Sequence, residues 1–224
     1  MPDKFLNVDM FGLPLTIIFF AGCTLWVVAY GITIINIHKN KFVEIPVVGA
    51  CANLAWEFIW SFPFGYMVAS SMGTAILWGY RVWFFMDLYI FYNLLMHGSK
   101  QFATMELRRY FKPITVVMLL MWVVGFYWYA WQGLDTPIGS VTAYYDNLPL
   151  SGLYIVLVLS QADVRLFSKT VAWTKGAGTG LVSIALSIHW SDNHWLQTLC
   201  AVTLILDICY LYAFHYKRKQ AGLA

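Results

Sequence analysis

The chain has 224 residues, of which 60% are hydrophobic and 11% charged, with a formal net charge of +3. A water-soluble domain carries about 25% charged residues, so a soluble globular surface is excluded and a lipid bilayer is the expected solvent. The small basic excess sits in short connectors, which argues against nucleic acid as a partner.

A helix needs roughly 20 apolar residues to cross the hydrocarbon core. Seven runs meet or approach that length, at residues 11–37, 43–69, 74–96, 113–132, 148–168, 177–191 and 195–216. The sixth is short and is preceded or opened by Gly176, Gly178 and Gly180. The first run is too long for a signal-peptide core, and no basic segment with a small-residue cleavage site accompanies it. It is therefore expected to stay in place as the first span. Cys23, Cys51, Cys200 and Cys209 lie inside apolar runs with no CxxC pair, and read as small apolar residues. The connectors are polar. One holds His38 to Lys41. Another runs from His97 to Lys112, with its 101–111 part expected along the membrane surface and Pro113 opening the fourth helix. A third, from Gly133 to Asn147, contains Asp135, Pro137 and Asp146. No linker or repeat divides the chain. The expected fold is all-α: a polytopic membrane protein of seven transmembrane helices in one bundle, with residues 1–224 forming one domain.

Numbering the connectors alternately places 12 of the 14 Lys and Arg residues on one side, and only Lys4 and Arg81 on the other. Basic residues collect on the cytoplasmic side. The N-terminus is thus expected outside and the C-terminus in the cytoplasm, as an odd number of spans requires.

Three acids fall at one depth. By helical rise, Glu57 lies roughly 21 Å, Asp87 roughly 20 Å and Asp207 roughly 18 Å into their spans. No Lys or Arg is expected at that depth to pair with them. A carboxyl group in a low-dielectric site is favoured in its neutral form, and a neutral acid is a proton donor, a relay residue or a hydrogen bond between helices. Positions three and four apart share a helix face. Glu57 shares one with Asn53, Trp60 and Ser61, Asp87 with Trp83, Phe84, Ile90 and Phe91, and Asp207 with Thr203, Leu204, Tyr210 and Leu211. Asn53 can orient the Glu57 carboxyl, and aromatic faces can stabilise a passing cation.

Several chemistries fail on residue type. A retinal protein needs a Lys in the middle of the last span, and 196–216 has none. Membrane di-iron enzymes need clustered histidines, and only five occur here. His189 and His194, with Trp190 and Asp192, read as interfacial polar residues. No metal or other cofactor is expected, and no nucleophile-elbow, P-loop or dinucleotide motif is present.

With Asn53-x-x-Trp56-Glu57 in the second span, Trp83 and Asp87 in the third and Asp207 in the last, the sequence resembles the small integral-membrane terpene cyclases of meroterpenoid and indole-diterpenoid pathways, with bacterial relatives acting on prenylated indoles. The resemblance covers both ends of the chain and little between the fourth and sixth spans. It implies that Glu57 and Asp207 are the residues of protonation. The implied activity is acid-initiated cyclisation of a prenylated aromatic or indole substrate at a terminal epoxide or alkene. Asn53, Trp56, Trp60, Trp83, Asp87 and Tyr210 are the candidate substrate-binding residues, in a dry pocket within reach of membrane lipids. The competing reading from the residues alone is a proton-coupled transporter or channel with Glu57, Asp87 and Asp207 as relays. A non-catalytic membrane assembly factor is a third, which no residue favours.

Overall fold

The computed structural model describes residues 4–223. Among them are eight α-helices and no β-strand: α1 (Gly12–Asn40), α2 (Val47–Ser61), α3 (Gly65–Met72), α4 (Thr74–His97), α5 (Met105–Trp131), α6 (Ser140–Ser160), α7 (Lys169–His189) and α8 (His194–Gln220). The all-helical expectation holds, but the count of seven does not. The run at 43–69 is two helices because Pro63 has no N–H to continue the ladder and its ring crowds the preceding turn. The Phe62 N–H closes onto Phe58 O at 3.1 Å, and the Phe64 N–H turns back to Ile59 O at 3.0 Å, before α3 begins. By length and apolarity, α1, α5 and α8 each suffice to cross a bilayer. Outward side chains such as Leu120, Met121, Ile205 and Ile208 are exposed, as lipid-facing residues of a membrane protein should be.

Three helix starts lie earlier than the hydrophobic runs suggest. The segment expected along the membrane surface is helical from Met105, and Pro113 lies inside α5. Its residues Glu106 to Arg109 are good helix formers, so the polar segment extends the span. Helix α6 begins at Ser140 rather than 148 because Asp135 caps it. One Asp135 oxygen accepts the N–H groups of Thr136 (2.7 Å) and Val141 (2.8 Å), and the other accepts the Thr142 N–H (3.0 Å). The turn into α6 places Gly139 at φ +74°, where a side chain is strained, and a Cβ there would also lie 2.4 Å from the Trp60 ring. Helix α7 begins at Lys169, with Ser168 Oγ accepting the Val171 N–H at 3.3 Å. The glycines expected to open the sixth span are therefore inside it. Gly178 serves packing: a Cβ on it would lie 3.0 Å from Gly22 O, and one on Gly22 2.8 Å from Gly178 O. Small residues at such crossings let two membrane helices approach backbone to backbone, and α1 and α7 form the most extensive helix pair of the fold.

The end carrying the α1 C-terminus is laced by side chains to backbone. The Gln101 amide donates to Val43 O (3.0 Å) and Ile45 O (2.8 Å) while its oxygen accepts the Val47 N–H (3.2 Å). Glu44, in the α1–α2 connector, accepts from Asn36 Nδ2 (3.1 Å) and from the Ser168 N–H (2.9 Å). Burial of this connector carboxyl raises its pKa from 4.5 to about 7. The opposite end is closed by the N-terminal segment, whose Lys4 O and Phe5 O accept the N–H groups of Thr74 and Ala75. Between the two ends lies a cavity.

Candidate active site

The cavity occupies about 660 Å³, mouth included, and helical periodicity builds its wall. Phe19, Cys23, Trp26 and Tyr30 come from one face of α1, Asn53, Trp56 and Glu57 from α2, and Tyr80 and Trp83 from α4. Ile138 before α6, Ser140, Ala143, Tyr144, Asp146 and Asn147 of α6 and Val182 and Leu186 of α7 complete it. One side is an aromatic wall: Trp56 and Tyr80 have centroids 4.9 Å apart, and Tyr80 stacks on Trp83 at 5.7 Å with 19° between planes. The cavity runs from Tyr30, Asn53 and Glu57 near mid-depth toward the end that carries the α6 N-terminus.

The aromatic wall is held from behind. Trp56 Nε1 donates to Gly139 O (3.0 Å) and Thr142 Oγ1 (3.1 Å), and Trp60 Nε1 donates to the same hydroxyl at 3.2 Å. That hydroxyl in turn donates to Asp135. One proton and two lone pairs are all that a threonine hydroxyl offers, so Thr142 is fully used and ties both indoles to the α6 cap.

The inner end of the cavity is acidic. Glu57, Asp87 and Asp146 are all buried, at 2%, 1% and 4% exposure. The Tyr30 hydroxyl lies between two of them, its oxygen 3.4 Å from Glu57 Oε1 and 3.5 Å from Asp87 Oδ2. Asn53 bridges to the third. Turned with its oxygen toward α1, its amide accepts the Tyr30 hydroxyl at 2.7 Å, while its NH2 group donates to both oxygens of the Asp146 carboxyl. The ion pairs among the described residues are Lys4–Asp9, Arg165–Asp163 and Lys175–Asp207, so none of the three cavity acids has one. Several polar atoms on the wall have no partner, namely Glu57 Oε2, Trp83 Nε1, Ser140 Oγ and Asn147 Oδ1. A buried polar atom without a partner is costly, and a bound molecule could satisfy these.

The residues predicted from the sequence thus divide. Asn53, Trp56, Glu57 and Trp83 line the cavity. Asp87 stands directly behind, in contact with Tyr30. Trp60 is 1% exposed and packs on the α6 turn rather than on the lining, and Tyr210 is packed against Tyr154 with centroids 4.9 Å apart. Asp207 is absent from the lining. It is paired with Lys175 of α7, which also donates to Ser151 Oγ at 2.8 Å. This corrects the expectation that no cation lies at the depth of the acids. Lys175 belongs to the second turn of α7, is 1% exposed, and extends its stem inward past Trp26 and Tyr154. His189 and His194 flank an exposed turn, and among the described residues no three His, Cys, Asp or Glu side chains converge as metal ligands.

Sequence reasoning missed Tyr30 and Asp146. Asp146 stood in a supposed connector; had Asp135 and the Ser140-Val141-Thr142 run been read as a capped helix start, it would have fallen on the second turn of α6. Tyr30 carried no signal beyond its place in an apolar span.

An all-helical membrane protein with an aromatic, acid-ended internal cavity defines the class. Within that class, residues 2–220 match the Pyr4-like transmembrane terpene cyclases, and the chain belongs to that family. It is 22% identical to terpene cyclase cle7 of Aspergillus versicolor, over 97% of this chain and 92% of that protein. It is 27% identical to the Pyr4-family terpene cyclase mfmH of Annulohypoxylon moriforme, over 88% and 85% of the two chains. It is 23% identical to terpene cyclase olcD of Penicillium canescens, over 87% and 82%. No solved structure matches the chain.

Proposed function

We propose that this protein cyclises a prenylated aromatic or indole substrate within the membrane, with Glu57 as the general acid. The observation that carries this reading is the Glu57 carboxyl itself. It lines an aromatic cavity, lacks a cationic partner, and has one oxygen that accepts from no donor of the protein. The Glu57 O–H bond breaks as its proton passes to the epoxide oxygen, whose C–O bond opens, or to the terminal carbon of an alkene. The electron pair of the next double bond closes the ring, and the positive charge moves along the chain. Loss of a proton, or attack by the substrate's own aromatic ring followed by proton loss, ends the cascade. The substrate rearranges with no net change in its atoms. Trp56, Tyr80 and Trp83 present the faces that stabilise a passing cation, and exclusion of water protects it from premature capture.

Asp207 enters this reading through Lys175. Their pair joins α7 to α8, and Ser151 extends it to α6, so Asp207 shapes the cavity wall without lining it. With the basic connectors read as cytoplasmic, the end laced by Gln101 and Glu44 faces the cytoplasm and the cavity runs toward the other side.

The test is turnover of a prenylated indole and its terminal epoxide by membranes containing the protein. Loss of a general acid costs about 100- to 10,000-fold, and Glu57→Gln should lose at least the lower figure. Asp207→Asn should also lose most turnover, and Asp87→Asn less. A folded Glu57→Gln protein with near wild-type turnover ends the assignment.

A further inference from the structure

Asp146 has no part in the chemistry so far, although it lines the cavity and its carboxyl is bonded to Asn53. An amide NH2 group only donates and an amide oxygen only accepts, while a tyrosine hydroxyl has one proton to give. When Asn53 donates to Asp146, its oxygen faces Tyr30 and takes that proton across 2.7 Å. Tyr30 then has only lone pairs left for Glu57 Oε1 at 3.4 Å and Asp87 Oδ2 at 3.5 Å. For either contact to be a hydrogen bond, the carboxyl must bring the proton.

We propose that Asp146 is a positioning residue that sets the polarity of this chain: by fixing the Asn53 amide it commits the Tyr30 proton to Asn53 and leaves the Glu57 carboxyl as the donor. The inference rests on the reading of Glu57 as the acid: of the two carboxyls at Tyr30 that must then bring the proton, Glu57 is the one that lines the cavity. The reverse polarity is chemically possible. It needs a proton on Asp146, turns the Asn53 amide over, and frees the Tyr30 proton for Glu57 or Asp87.

The experiment compares Asp146→Asn with Asp146→Leu. Asparagine retains an oxygen to accept from Asn53, whereas leucine releases the amide. With the prenylated indole epoxide as probe, Asp146→Asn should turn over within about tenfold of wild type, and Asp146→Leu should lose about a hundredfold, the scale of a disabled general acid. The loss should fall on kcat, with KM little changed. Equal losses in both variants would overturn the proposal, since Asp146 would then be handling a proton itself. Turnover by Asp146→Leu near wild type would overturn it too.

A second measurement needs neither substrate nor the leucine variant. The infrared carbonyl stretch of a protonated carboxylic acid should appear in the wild-type minus Glu57→Gln difference spectrum. It should be absent from wild type minus Asp146→Asn. The opposite pattern would establish the reverse polarity and refute the proposal. A dead Glu57→Gln enzyme beside a fully active Asp146→Leu enzyme would sink this inference alone. A fully active Glu57→Gln enzyme would sink the acid assignment.

Discussion

Replacing Lys175 with Met removes one partner of the Lys175–Asp207 pair while keeping most of the apolar stem. Both side chains are about 1–2% exposed, so water cannot replace the lost ammonium. Asp207 Oδ1 loses its bond, and Oδ2 already has no partner; Ser151 Oγ loses the donor at 2.8 Å. Breaking a buried pair from one side costs roughly 3–5 kcal/mol, whereas replacing both partners by apolar groups of similar volume is often neutral. On the scaling of a 150–250-residue protein the single variant should melt roughly 6–20 °C lower. The double variant Lys175→Met/Asp207→Leu should recover most of that loss. The assay is thermal unfolding of detergent-solubilised protein, followed by loss of the monodisperse chromatographic peak, for wild type, each single variant and the double. A Lys175→Met protein as stable as wild type would refute the buried pair. A double variant no better than the worse single would refute the compensation argument.

Thr142→Val should destabilise the protein by about 1–3 kcal/mol, because the buried Trp60 indole N–H is left unpaired, while Trp56 keeps Gly139 O; a melting comparison checks it. Gly178→Val should prevent α1 and α7 from closing, since it would meet the Trp26 ring and the Gly22 backbone oxygen on α1; a cross-link engineered between the two helices should then fail to form. For Glu44, a folded-state pKa of about 7 above an ordinary 4.5 means that the folded protein binds more protons than the unfolded chain between those values. Stability should therefore fall as pH rises from about 5 to 7, and the slope should flatten in Glu44→Gln. A reporter fused after Ala224 should behave as cytoplasmic if the basic connectors set the orientation.

The helices were legible wherever apolar runs had polar boundaries, as in α1, α4 and α8. The starts of α5, α6 and α7 were not, because a hydropathy window ignores caps. Asp135 and Ser168 are ordinary polar residues until their oxygens are seen on helical N–H groups. The same blindness moved Lys175 into a connector and hid Asp146. Glu57 and Asp87 announced themselves because a charge in the middle of a long apolar run is rare. Their shared contact with Tyr30 could not be read, since it depends on how α1, α2 and α4 rotate about their axes. Trp60 illustrates the converse: it shares the Glu57 face, yet the α6 turn reaches it first.

The close approach of Gly22 and Gly178 bears on how the chain is made. Helix α7 falls short of the length and apolarity that α1, α5 and α8 possess, and it carries a lysine that on a lone helix would resist entry by up to about 2.5–3.5 kcal/mol. Its groove-mate α1 is synthesised first, and its ammonium's counter-ion on α8 comes last. If α7 crosses the bilayer, it would lodge against its earlier-made neighbour α1, and its charge would find its partner only when Asp207 follows. The polar interior is thus complete only once α8 is in place, and a chain arrested before α8 would carry Lys175 without its counter-ion.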